Sequence, residues 1–79
     1  MPTVRGISSP YRFFSYSFDC YEPKHVHVRR ERVTCKFWLE PVGLSFNDGF
    51  SPAELNRIRR LILEHHRKIP EAWDEHCGK

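Results

Sequence analysis

The residue pattern predicts an α+β fold, a small antiparallel sheet packed by a C-terminal helix. Three observations carry this. Apolar side chains recur at every second position through much of residues 11–47, the spacing of half-buried strands. From Leu55 to Ile69 they recur at spacings of three, four and seven, as on an amphipathic helix. Between the two halves lies "SPAE", in which Ser51 can cap, Pro52 suits the first helical turn and Glu54 completes a capping box. Neither an internal repeat nor a low-complexity linker divides the chain, so residues 1–79 read as a single α+β domain.

The expected elements follow in order. "RFFSYSFD" alternates Phe14, Tyr16 and Phe18 against Phe13, Ser15 and Ser17, giving a first strand at about 11–19. "DCYEP" supplies turn chemistry. "HVHVR" gives a second strand at about 25–30, with His25, His27 and Arg29 on one face and Val26 and Val28 on the other. A third strand at about 32–39 points Val33, Cys35, Phe37 and Leu39 inward and Thr34, Lys36 and Trp38 outward. The reversal between them, Arg30-Glu31-Arg32, lacks the Asn-Gly or Asp-Gly of a primed turn. A fourth strand at about 42–47 places Val42, Leu44 and Phe46 on one face. The helix is expected over about 52–69, where Pro70 should kink or end it. A short helical tail at about 70–77 should fold Trp73 back onto the sheet.

Composition narrows the function classes. At 79 residues the core is thin, and six Phe, three Tyr and two Trp must supply much of its bulk. No run is long and apolar enough to span a membrane, and "MPTVRGISSP" lacks the apolar stretch of a signal peptide, so a cytoplasmic location is expected. Cys20, Cys35 and Cys77 are odd in number and widely spaced, without a CxxC pair, and read as free thiols, Cys35 as a small buried hydrophobe. The net charge of +3 is unevenly distributed. Lys24, Arg29, Arg30, Arg32 and Lys36 crowd one block; Arg57, Arg59, Arg60, Arg67 and Lys68 crowd another. Such blocks favour anionic partners, with a solvated surface as the alternative.

Several stretches carry a family resemblance. The opening "MPTV", the aromatic "RFF" strand, the core Pro23-Lys24-His25-Val26-His27-Val28 and a C-terminal helix ending near Trp73 together resemble the small bacterial family of domain of unknown function 4160, over nearly the whole chain. The family usually has a second Pro and an aromatic where this chain has Lys24 and Val26, and a Gly in the turn where this chain has Arg30-Glu31-Arg32. The resemblance implies one half of a two-component module in the manner of toxin–antitoxin pairs, hence a binding partner more than a reaction.

His25 and His27 admit three chemistries. Side chains two apart on a strand share a face, so both imidazoles could meet one metal ion, with further ligands from Cys20, Glu22, His65, His66, His76 or Cys77. None of these has a recognised ligand spacing, so neither metal nor cofactor is expected. A metal-independent ribonuclease could use His25 and His27 as acid and base, with Lys24, Arg29 or Arg30 holding phosphate and Tyr21 stacking a base. The preferred reading is a non-enzymatic binding or regulatory module. Its expected contact set is Lys24, His25, His27, Arg29, Arg30 and Arg32 with Lys36 and Trp38 on the sheet, and Arg57 and Arg60 on the helix. Its expected partner is an acidic protein surface or a nucleic-acid-handling complex, with direct RNA or DNA contact and a homodimer through a sheet edge as further options. For Trp38 the structural alternative is a satellite cluster; for Arg57, Arg59 and Arg60 it is a solvated helix face.

Overall fold

In the computed structural model, residues 3, 4, 6, 7, 9–16 and 19–78 are described. Four strands, β1 (Arg12–Phe14), β2 (His25–Arg30), β3 (Val33–Leu39) and β4 (Val42–Asp48), form an antiparallel meander in the order β1-β2-β3-β4. A 3-10 turn, Asp19–Tyr21, precedes β2. Two helices follow, α1 (Pro52–Glu64) and α2 (Lys68–Cys77). The α+β architecture expected from the change of period is the one observed.

Period-2 alternation gives the sheet two chemically distinct faces. Phe13, Val28 and Cys35 share one register row, and Val26 and Phe37 share the next. Their side chains join Leu39, Phe50, Ile58, Ile62 and Ile69 in the main core. α1 is laid across this inner face because Ile58 and Ile62, one turn apart, are its fully buried positions. Each such side chain contributes about 1.5–3 kcal/mol by leaving water.

The start of α1 forms as its residues dictate, with one difference. Ser51 caps it, its hydroxyl accepting from the Glu54 amide at 3.2 Å, and Pro52 occupies the first turn. The Glu54 carboxylate does not close a capping box. It instead receives Arg30 Nη2 at 2.7 Å and Nε at 3.2 Å, tying the helix to the end of β2, because a charged pair outweighs a bond to a solvated amide.

Four features differ from expectation. The first strand spans three residues, not nine; Phe13 and Phe14 are both buried because one serves each face of the sheet. Ser17 and Phe18 lie outside the described residues. The helix ends at Glu64 and restarts at Lys68, ahead of Pro70. The Pro70 ring would meet the carbonyl of His66 in a continuous helix, whereas in the first turn of α2 its missing amide hydrogen costs nothing. In β4 a register shift opposite Lys36 and Phe37 pairs Phe46 with Lys36, while Leu44 pairs with Phe37. The extra residue at this bulge moves Phe46 to the outer face, away from Val42 and Leu44.

The fourth difference concerns the cysteines. Cys20 and Cys77, expected as free thiols, form a disulfide across a sequence separation of 57 residues. Their Cα atoms lie 5.5 Å apart, within bridging range, because α2 returns to the start of β2. Cys35 remains a buried free thiol, as expected, and burial pushes its pKa up to about 12.

Candidate binding surface

The outer face of the sheet is built of three rows running across the strands. The first row contains His25, Trp38 and Gly43. The second contains Phe14, His27, Lys36 and Phe46, and the third Arg12, Arg29, Thr34 and Asp48. Strand pairing alone therefore brings two imidazoles, three cations and several aromatic rings to one face.

α2 closes the first row. Ile69 anchors its start in the main core, and Trp73, one turn on, lies 4.9 Å from the His25 ring on the opposite face. Lys24 and Asp74 pair at 3.0 Å beside this contact. The hydrogen bond that Lys24 donates to Asp74 holds the Lys24 pKa above its ordinary value, against a smaller opposing effect of burial. His25 consequently has 0% exposure. Its Nδ1 sits 2.8 Å from the Pro23 carbonyl oxygen, so Nδ1 carries the donated hydrogen. The expectation that His25 faces outward to solvent is corrected here: with its Nδ1 donating to the Pro23 carbonyl, the ring packs as an aromatic, and Trp73 and Trp38 enclose it.

His27 belongs to the same aromatic layer but is half-buried. Its ring stacks on Phe14 at 5.5 Å and meets the Tyr16 edge at 4.7 Å, with His25 5.1 Å away. The two histidines share a face, as the spacing required, yet only one reaches water. Trp38 is half-buried beside His25, and Lys36 lies 4.7 Å over its ring while pairing with Glu22 at 2.6 Å.

The open part of the outer face is the third row and the exposed edges of the second. Arg12, Arg29 and Asp48 are exposed, and Phe46 is 57% exposed. Arg29 is steadied by its Nε, which donates to the Glu31 carbonyl at 2.8 Å. Arg12 and Phe46 lie outside the contact set expected from the sequence. Arg12 could have been found by extending the alternation of Phe14, Tyr16 and Phe18 two residues back; Phe46 depends on a bulge that no residue of β4 announces.

The remaining expected contact residues are scattered. Arg30 points to the inner face, where the hydrogen bonds it donates to Glu54 raise its pKa above the ordinary value. Arg32 is exposed in the β2–β3 reversal. Arg57 and Arg60 are exposed on α1, across the sheet from His27, with Arg57 Nη1 3.4 Å from the Tyr11 hydroxyl. The ten-residue contact set is thus divided between two sides of the molecule. Tyr21, 96% exposed, lies in the 3-10 turn and not on the sheet face.

Among the described residues, the side chains gathered closely enough to hold a metal ion are Cys20, His76 and Cys77. His25 and His27 do not join that group. No described helix is long and apolar enough to cross a membrane.

A family model described as domain of unknown function (DUF4160) matches residues 11–74. No curated protein and no solved structure matches the chain.

Proposed function

Because this chain belongs to the DUF4160 family, whose description names no reaction, we propose its function from its own surface: it is a non-enzymatic binding and regulatory module that meets an anionic partner. The observation that carries this reading is the open strip of sheet on which Arg12 and Arg29 stand beside Lys36, His27 and Phe46. Cations interleaved with partly exposed rings suit an acidic protein face. The partner would be the second component of a toxin–antitoxin-like pair, or a nucleic-acid-handling complex that the module regulates in the cytoplasm. The edge strand β4, with Leu44 and Phe46 exposed, offers a second copy of the chain a place to pair.

A ribonuclease built on His25 and His27 fits less well, because one of the two imidazoles has no route to a substrate while α2 is docked.

The test is co-purification from the native host at low and high salt, with wild type and an Arg12→Glu/Arg29→Glu variant. A partner retained by wild type at low salt, and lost both at high salt and in the variant, is the expected result. Equal retention in all conditions sinks the proposal. So does RNA cleavage by purified wild type that His27→Ala abolishes.

A further inference from the structure

We propose that, in the reduced protein, Cys20, Cys77 and His76 form a site for a soft divalent cation, Zn²⁺ by the chemistry of its ligands. The two sulfurs and a ring nitrogen of His76 lie within 4.8 Å of one another, brought together by the 3-10 turn before β2 and the last turn of α2. Zinc bound by two thiolates at about 2.3 Å in tetrahedral geometry holds them about 3.8 Å apart. The Cys20 and Cys77 backbones, 5.5 Å apart at Cα, can reach that spacing by side-chain rotation once the bridge is open.

Two further features suit a cation here. His76 Nε2 lies 3.2 Å from the Tyr16 carbonyl oxygen. A hydrogen donated there leaves the lone pair on Nδ1, and metal-bound imidazoles are held by such a second bond to a carbonyl. The site also sits at the C-terminal, negative end of α2, a helix that carries Glu71, Asp74 and Glu75 in an otherwise basic chain. Three protein ligands leave the fourth position to water.

The chemistry balances with a thiol reductant. Two reductant thiols become one disulfide, and the Cys20–Cys77 bridge becomes two thiols. Each thiol then releases its proton to solvent as its sulfur bonds Zn²⁺, and His76 gives a lone pair. The disulfide and the metal are alternative clasps between the same two elements, chosen by the redox state.

The proposal is tested on the full chain, with a phosphine reductant and Zn²⁺ alone, by competition against a chromophoric chelator. Reduced wild type should take up one ion per chain and the oxidised protein none. Co²⁺ in place of Zn²⁺ should give a thiolate charge-transfer band in the near ultraviolet. Cys20→Ser and His76→Gln should each weaken uptake by at least about tenfold, whereas His66→Ala, an exposed position outside the site, should leave it unchanged. Far-ultraviolet circular dichroism of oxidised His76→Gln, which keeps the bridge, checks that this variant folds. No uptake by reduced wild type overturns the proposal. Uptake unaffected by Cys20→Ser or by His76→Gln, or lost in His66→Ala, overturns it equally.

Discussion

The two faces of one sheet are finished in different ways. The inner face is covered by α1 and filled mainly with aliphatic and aromatic side chains, alongside the paired Arg30 and Glu54. The outer face carries residues with polar edges, and α2 covers only its first row. Sealing an imidazole requires a hydrogen-bond partner, which Pro23 supplies to His25; the guanidinium of Arg29 on the third row stays in water. The half-covered face therefore ends where side chains become too costly to bury, and that boundary is the binding strip proposed here.

The two faces should differ most in what a truncation costs. Phe37→Ala on the inner face should cost about 3–5 kcal/mol, whereas Arg29→Ala on the outer face should stay within about 0.5 kcal/mol, both read by urea denaturation. Similar losses for the two would show that the faces do not differ as described.

Next in size is the clasp on α2. Opening the Cys20–Cys77 bridge in the absence of metal should lower stability by about 2–4 kcal/mol, since it closes a long loop. Trp73 fluorescence should change at the same time, because the outer-face contact of α2 is loosened, and an unchanged spectrum would argue against that coupling.

A smaller effect is expected at the inner-face turn. Gly49 has φ 111°, and a Cβ there would come 2.5 Å from Val33 Cγ1. Gly49→Ala should therefore cost more than about 1 kcal/mol in thermal denaturation.

Near neutral pH the smallest effect is expected at Cys35, whose contribution emerges only in alkaline solution. Burial raises the Cys35 pKa to about 12 in the folded chain, so the folded state holds that proton more tightly than the unfolded state does. The resulting stability is complete below the ordinary thiol pKa and is lost as pH rises from about 9 towards about 12. Cys35→Val should flatten that part of the stability profile, and native Cys35 should resist alkylation near neutral pH. Rapid alkylation without unfolding would contradict the burial.

The inner face was legible in the residues because its signals are local. Val26, Val28, Cys35 and Phe37 alternate within their own strands, and Ser51 and Pro52 mark the start of α1 within a few residues. The outer face depends on relations between distant segments. That His25 is sealed follows from Trp73, nearly fifty residues away, and the bridge joins positions with no spacing code between them. An odd cysteine count pointed to free thiols, but one bridge and one buried thiol satisfy it equally well. Phe46 changed faces through a single extra residue in β4, to which a period-2 reading is blind. Trp73 returning to the sheet was expected; which histidine it would cover was not.

Hydrogen–deuterium exchange at the histidine ring C2 positions addresses the division of the outer face most directly. His25 should exchange far more slowly than His27, and His27 more slowly than the exposed His66. His25 exchanging as fast as His66 would show that α2 does not seal the first row, and the boundary on which the binding strip rests would be lost.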